Sequence, residues 1–316
     1  MTSTRTIIAA MLALAGAGEA LVGQQQPSFR TRTDVVSVNV SVKDGRRPIA
    51  DLTAPDFELL DNGVRQEIDA VSLEHLPIDV TLVLTGFPEP QAAEHRRGLI
   101  SASEVRQKLS ANDRLRLVVV GDGVTGRLVG PGFVVPTDHS NTRRIPGVAL
   151  TDGLFYALAW PVDPDRRHLV VAFTNGQDTH SANEPDRLPA LVDRSDAVLH
   201  AVLWDSPPAS RPTGDYVTYG SATSAAGTSQ PPAFWVPGWE ESYRLLLKAV
   251  DRSGGSLHHA AAGTEVFQTI LDDFRTSYVL RYTPRGVVTK GWHELTVKVA
   301  RRGSFDVRAR KGYEGF

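Results

Sequence analysis

The 316-residue chain contains no cysteine, and its two methionines are Met1 and Met11. The lack of cysteine excludes disulfides, thiol nucleophiles and cysteine metal sites. No apolar run reaches the roughly 20 residues of a membrane-spanning helix. An excess of charge of one sign is also absent, because the chain has 34 Lys and Arg residues and 36 Asp and Glu residues. This balance gives no electrostatic reason to expect a nucleic acid as partner.

Residues 1–23 have the pattern of an export signal. Arg5 precedes an apolar segment at 7–17, small residues follow, and a polar run comes at 24–26. A short basic region, a short apolar region and small residues for cleavage are typical of a secretory signal peptide. We therefore expect a periplasmic or extracellular protein whose mature chain has no stable membrane span. The alternative is a disordered or anchoring N-terminal tail.

Residues 30–76 predict a small antiparallel β module of Ig-like character. Valines at 36, 38, 40 and 42 alternate with polar residues, which is the pattern of a half-buried strand. Residues 57–60 predict a second short strand before the turn at 61–63, and residues 66–73 predict a third. A core of this size is marginal alone, so we expect the module to pack on the rest of the chain.

Residues 77–283 predict an α/β domain. Apolar strands at 78–84, 115–120, 169–173 and 197–203 alternate with helices at 92–109, 152–160, 188–193, 240–250 and 265–274. This alternation predicts a doubly wound, mainly parallel sheet with helices on both faces. A stretch at 206–238, rich in Pro, Ser, Thr and Gly, predicts a long surface loop. We expect strands in the last segment, 284–316, to pack on this body.

Four stretches together resemble a known family. They are Asp56-Phe57-Glu58-Leu59-Leu60-Asp61-Asn62-Gly63, then the strand at 78–84, then 149–154 with 174–178, and finally 275–284 with Arg310-Lys311-Gly312-Tyr313. Their order and spacing resemble the von Willebrand factor A (vWA) domain proteins exported by Acidobacteria and related bacteria. The resemblance implies a vWA-like, Rossmann-like fold.

The resemblance also implies where a metal site would lie, and this sequence departs from the pattern there. The family binds a divalent cation with Asp-x-Ser-x-Ser after the first strand, a Thr before the middle helix and an Asp in a Thr-Asp-Gly turn. Here Thr85 stands where the first Asp is expected, and Phe87 and Glu89 stand where the two Ser are expected. Val148 aligns with the expected Thr, although a shifted alignment could offer Thr151, and Asn175 replaces the Asp of the turn. We predict a degenerate metal-ion-dependent adhesion site with no metal or other cofactor. Its positions form a possible partner-binding face: Thr85, Phe87, Glu89, Val148, Asn175 and Asp178.

Other motifs carry weaker signals. Gly121 to Gly126 matches G-x-G-x-x-G, but β and turn residues follow it instead of a helix, so we interpret it as a hairpin turn. His258 and His259 are adjacent, and on a strand they point to opposite faces and cannot easily share a metal. Asp138-His139 and Asp178-Thr179-His180 could supply an acid/base pair or a ligand cluster.

The sequence therefore favours an exported, non-enzymatic protein-interaction module of the adhesion or scaffold type. Its partner would be another protein, bound without Mg²⁺. The alternatives are a secreted hydrolase that uses the Asp/His loops, or a structural subunit of an envelope assembly.

Overall fold

The computed structural model describes residues 35–73, 76–85, 105–121, 123–129, 148–161, 163, 165–203, 239–259 and 263–315. The predicted signal, most of the predicted helix at 92–109 and the predicted loop at 206–238 lie outside these ranges, and residues 105–108 are helical. In chain order the strands are β1 (Val36–Asp44), β2 (Arg47–Pro48), β3 (Phe57–Asp61), β4 (Val64–Gln66), β5 (Ala70–Ser72), β6 (Ile78–Thr85), β7 (Arg114–Val120), β8 (Val124–Val129), β9 (Arg167–Thr174), β10 (Val198–Leu203), β11 (Leu257–His259), β12 (Tyr278–Tyr282), β13 (Gly291–Val299), β14 (Asp306–Ala309) and β15 (Gly312–Gly315). The helices are α1 (Leu150–Leu158), α2 (Leu188–Arg194), α3 (Trp239–Ser253) and α4 (Gly263–Arg275), with single 3₁₀ turns at Ala54–Asp56 and Pro185–Arg187.

A six-stranded sheet forms the centre of the fold, in the order β11-β10-β9-β6-β7-β8. All its neighbouring strands are parallel except β8, which runs antiparallel to β7. From β6 the chain adds strands first on one side and then, from β9, on the other. The order therefore reverses between β6 and β9, and this reversal is the switch point at which open α/β sheets usually place their ligands.

Helices cover both faces of this sheet. On one face α4 contributes an apolar stripe of Phe267, Ile270, Leu271 and Phe274, which packs on β6, β7, β9 and β10. The other face is covered by apolar residues of α1, α2 and α3. All eight residues of β6 and all eight of β9 are buried, because each strand is covered on both sides.

Two antiparallel sheets lie beside the central sheet. One has the order β14-β1-β12-β5 with β2 also on β1, and the other has the order β15-β13-β3-β4. They share one core, whose largest fully buried side chains include Tyr278 and Tyr282. The strands after residue 284 thus pair with strands before residue 76, as in β13 on β3 and β14 on β1. The domain boundaries at residues 76 and 283 stay predictions.

The structure confirms the α/β class and refines the predicted arrangement. The mainly parallel order describes the central sheet, whereas the chain as a whole mixes parallel and antiparallel sheets. The prediction of one strand at 66–73 is wrong, because β4 and β5 belong to different sheets. Between them, the Asp69 N–H bonds to the Arg281 carbonyl at 2.8 Å, which turns the chain toward β12. None of the helices in the described ranges is long and apolar enough to cross a membrane.

Candidate functional site

The carboxyl ends of β6 and β9 meet at the switch point of the central sheet. Thr85 ends β6 and Thr174 ends β9, and both side chains are buried. The Thr85 hydroxyl lies 3.5 Å from the Thr174 hydroxyl and 3.5 Å from the Phe173 carbonyl oxygen. Thr174 in turn accepts the Gly176 N–H at 3.0 Å. Hydroxyls, and not carboxylates, therefore occupy the ends of these two strands.

The turn that follows β9 is shaped by Gly176. Its φ of +80° lies in the left-handed region, where a side chain is strained. A Cβ at this position would also lie 2.6 Å from the Tyr243 ring of α3. Within the turn, Asn175 accepts the Gln177 N–H at 3.1 Å through its side-chain oxygen. Asn175 therefore serves the turn, and Tyr243 closes over it.

The next loop holds the start of α1 through Asp178. Its Oδ2 accepts the Thr151 N–H at 2.8 Å, at the helix end where backbone N–H groups lack partners within the helix. The same oxygen accepts the Ser181 hydroxyl at 2.8 Å, and Oδ1 accepts the Ser181 N–H at 3.2 Å. Asp178 is thus the cap of α1, although it lies 27 residues away in sequence.

Asp152, a residue of α1, binds the loop in turn. Its carboxylate accepts the N–H groups of Ala182 and Asn183, each at 2.9 Å, and the Asn183 side-chain amide at 2.8 Å. Burial alone would raise the pKa of Asp152. The three hydrogen bonds lower the pKa by more than burial raises it, so the pKa lies below its ordinary value. The carboxylate is therefore ionised at neutral pH, and both of its oxygens are occupied.

Val148, the position aligned with the family threonine, acts through its backbone. Its N–H donates to the Thr179 hydroxyl at 2.8 Å, and its carbonyl accepts the Thr179 N–H at 2.8 Å and the His180 N–H at 3.1 Å. The Val148 side chain is buried in the core beneath α1. The segment before α1 is therefore joined to the loop at 178–183 through both the N–H and the carbonyl of Val148.

Of the six predicted face residues, Val148 and Asp178 lie at the start of α1, whereas Thr85 ends β6 and Asn175 follows β9. Phe87 and Glu89 lie outside the described residues. Ser181 and Asn183, which link the two aspartates to the loop and to α1, were missed, as was Tyr243. A carboxylate with a serine three residues later, in a loop after a buried strand, is the sequence signal that could have indicated Ser181.

The oxygen atoms at this end of the sheet do not fit a magnesium site. Mg²⁺ needs carboxylate and hydroxyl oxygens in near-octahedral geometry. Asp178 and Asp152 each accept hydrogen bonds on both oxygens from groups that build the loop. In the described part of the chain, no group of three or more His, Asp or Glu side chains is placed to hold a metal ion.

In the described loop at 178–180, Asp178 and His180 do not form the suggested acid/base pair. His180 is exposed, and its Nδ1 lies 3.0 Å from the Thr179 hydroxyl, whereas Asp178 bonds to Thr151 and Ser181. Asp138 and His139 lie outside the described residues. The glycine motif at 121–126 lies in the β7–β8 hairpin, where Val120 pairs with Val124.

Comparisons with known proteins give distant likenesses. No protein-family model and no curated protein matches the chain. An aerotolerance-related membrane protein from Bacteroides fragilis is 10% identical, over 62% of this chain and 98% of its own, with a TM-score of 0.41. The ArnB paralog VWA2 from Sulfolobus acidocaldarius is 9% identical, over 88% and 75%, with a TM-score of 0.42. A von Willebrand factor type A protein from Catenulispora acidiphila is 11% identical, over 84% and 75%, with a TM-score of 0.38.

Proposed function

We propose that the chain is an exported, non-enzymatic protein-interaction module that binds another protein at the carboxyl end of its central sheet. We further propose that this end is a vWA-type site that has lost its metal ion. Export is proposed from the sequence of residues 1–23 alone. The position of the site is supported by the switch point between β6 and β9, where such sheets usually bind ligands.

The vWA relationship is supported by where the resembling stretches lie. The strand at 78–84 belongs to β6, the stretch at 149–154 opens α1, and the stretch at 174–178 follows β9. All three meet at the sheet end described above. The stretches at 56–63 and 275–284 lie instead in and beside β3 and β12, in the antiparallel sheets.

One observation carries the proposal of metal independence. The Asp178 carboxylate, the nearest acidic group after β9, caps α1 through the Thr151 N–H at 2.8 Å. A metal ion would have to take this carboxylate from α1 and leave a helix N–H without its partner. The remaining groups at the strand ends, Thr85, Thr174 and Asn175, carry no charge, so they supply no carboxylate ligand for Mg²⁺.

A pull-down with two matched variants tests this proposal. The mature chain is immobilised and incubated with envelope and culture fractions, with and without EDTA. Gln177→Lys adds a cation at the carboxyl end of the sheet, beside Asn175. Asn112→Lys adds the same charge next to the start of β7, at the opposite end of the sheet.

We expect the same partner to be captured with and without EDTA, to be retained by Asn112→Lys, and to be lost by Gln177→Lys. Capture that EDTA abolishes would contradict metal independence. Equal capture by both variants would place the binding surface elsewhere. Melting curves of both variants establish that each is folded.

A further inference from the structure

Ser256 lies between two histidines at the edge of the central sheet. His200 Nδ1 is 3.0 Å from the Ser256 hydroxyl oxygen, and His258 Nε2 is 2.8 Å from the same oxygen. The two imidazole rings are 5.7 Å apart between centroids and inclined by 33°. Two ring nitrogens from different strands thus converge on one hydroxyl group.

Strand register produces this convergence. β10 and β11 are parallel, with Ala201 opposite Leu257 and Val202 opposite His258. Because side chains alternate along a strand, His200, Ser256 and His258 share one face of the sheet. His259 points to the opposite face and is exposed. His258 therefore finds its partner in the neighbouring strand and not in the next residue.

The two rings differ in burial and lie near charged side chains. His200 is buried, whereas His258 is half-buried. Three other elements bring charged groups near His258: Asp273 lies on α4 and is ion-paired with Lys43 on β1, and Arg308 lies on β14.

We propose that His200, His258 and Ser256 form a binding site for a divalent transition-metal ion such as Zn²⁺. The two imidazole nitrogens supply the ligands that Zn²⁺ and Cu²⁺ prefer, and the Ser256 oxygen with water completes the coordination. Ser256 and His258 are only half-buried, so the ion can reach the site from the outer side of β11. With two strong ligands, affinity should be modest, and Mg²⁺, which prefers oxygen, should not bind there.

This site is separate from the proposed partner-binding face and stands without it. It lies on β10 and β11, under α4, whereas the face is formed by β6, β9 and the start of α1. Its test therefore uses the metal alone.

Calorimetric titration of the intact chain with Zn²⁺ tests the proposal, with His258→Asn as the ligand variant and His259→Asn as the control. The control removes the neighbouring histidine from the opposite face. Loss of an outer-shell group already lowers metal affinity by about tenfold or more, so loss of a ligand in His258→Asn should cost at least that. Ser256→Ala, which keeps both imidazoles, should weaken binding less than His258→Asn.

We expect one Zn²⁺ per chain in the native protein and in His259→Asn, and a matching rise in melting temperature that His258→Asn lacks. Absence of saturable Zn²⁺ binding would overturn the proposal. So would equal affinities of His258→Asn and His259→Asn, because the ion would then be bound by other groups. Melting temperatures in EDTA establish that the variants are folded without metal.

Discussion

The Asp178 carboxylate accepts the Thr151 N–H at 2.8 Å and thereby caps a helix that begins 28 residues before it. The loop after β9 and the start of α1 therefore form one hydrogen-bonded unit at the carboxyl end of the central sheet. In this unit the acidic side chains stabilise the scaffold, and they are not available as ligands.

Removal of this cap should destabilise the protein. Asp178→Ala should lower the free energy of unfolding by about 1 kcal/mol, because the Thr151 N–H and the Ser181 hydroxyl lose their acceptor. Urea unfolding followed by circular dichroism measures the change. Asp186→Ala removes an exposed aspartate a few residues further on and should change stability by less than about 0.5 kcal/mol. Equal effects of the two substitutions would show that the cap contributes nothing.

Substitution of Gly176 should be costly for two separable reasons. Gly176→Ala forces a side chain into φ +80° and against the Tyr243 ring, so we expect a loss of more than about 1 kcal/mol. Gly45→Ala is the matched control, because Gly45 has φ +58° but no atom near the added Cβ. The difference between the two free energies of unfolding measures the clash with Tyr243. If Gly176→Ala were no worse than Gly45→Ala, Tyr243 would not close over the turn.

Acid should destabilise the fold through its buried histidines. Burial lowers the pKa of His168 to about 4 and that of His200 to about 3. In the unfolded chain histidine titrates near its ordinary value, so below about pH 6.5 the unfolded state binds more protons. Stability should therefore fall as the pH drops from about 6.5 toward 4, by up to about 1.4 kcal/mol per pH unit for each histidine.

Unfolding free energies at a series of pH values measure this slope. His168→Gln should flatten it, because the imidazole of residue 168 no longer titrates. An unchanged slope in that variant, or a stability that rises on acidification, would contradict the account.

The buried carboxylate of Asp61 should couple two tyrosines. Asp61 Oδ2 accepts the Tyr282 hydroxyl at 2.9 Å and the Tyr313 hydroxyl at 3.1 Å, while Oδ1 lies 2.8 Å from His293 Nδ1. Burial raises the pKa of both tyrosines, that of Tyr313 to about 12, so both remain donors at neutral pH. Each Tyr→Phe substitution should cost about 1.5–3 kcal/mol.

The double variant should cost more than the sum of the two, because Oδ2 then loses both donors. A double-mutant cycle in urea measures the coupling. Strict additivity would mean that the two hydroxyl groups stabilise the carboxylate independently.

Local sequence patterns predicted the central strands well. The strands β6, β9 and β10 are covered on both faces, so every residue in each of them is buried. A continuous apolar run in the sequence indicates such a strand without knowledge of its neighbours. Pairings between distant segments were not visible in this way. The pairing of β1 with β12 joins residues more than 200 apart, and the division of 66–73 into β4 and β5 follows from sheets that form only in the complete fold.

The candidate site shows the same limit. Thr85, Val148, Asn175 and Asp178 could be placed by motif order, but the motif could not show that Asp178 faces Thr151. That contact depends on how α1 lies against β7, where Gly153 allows close approach to Val120.

The central claim is that the carboxyl end of the sheet works without a metal ion, and a calorimetric titration of the intact chain with Mg²⁺ tests it most directly. We expect no heat beyond that of dilution, in the native protein and in Thr85→Val alike. Saturable binding of one Mg²⁺ per chain that Thr85→Val abolishes would contradict it.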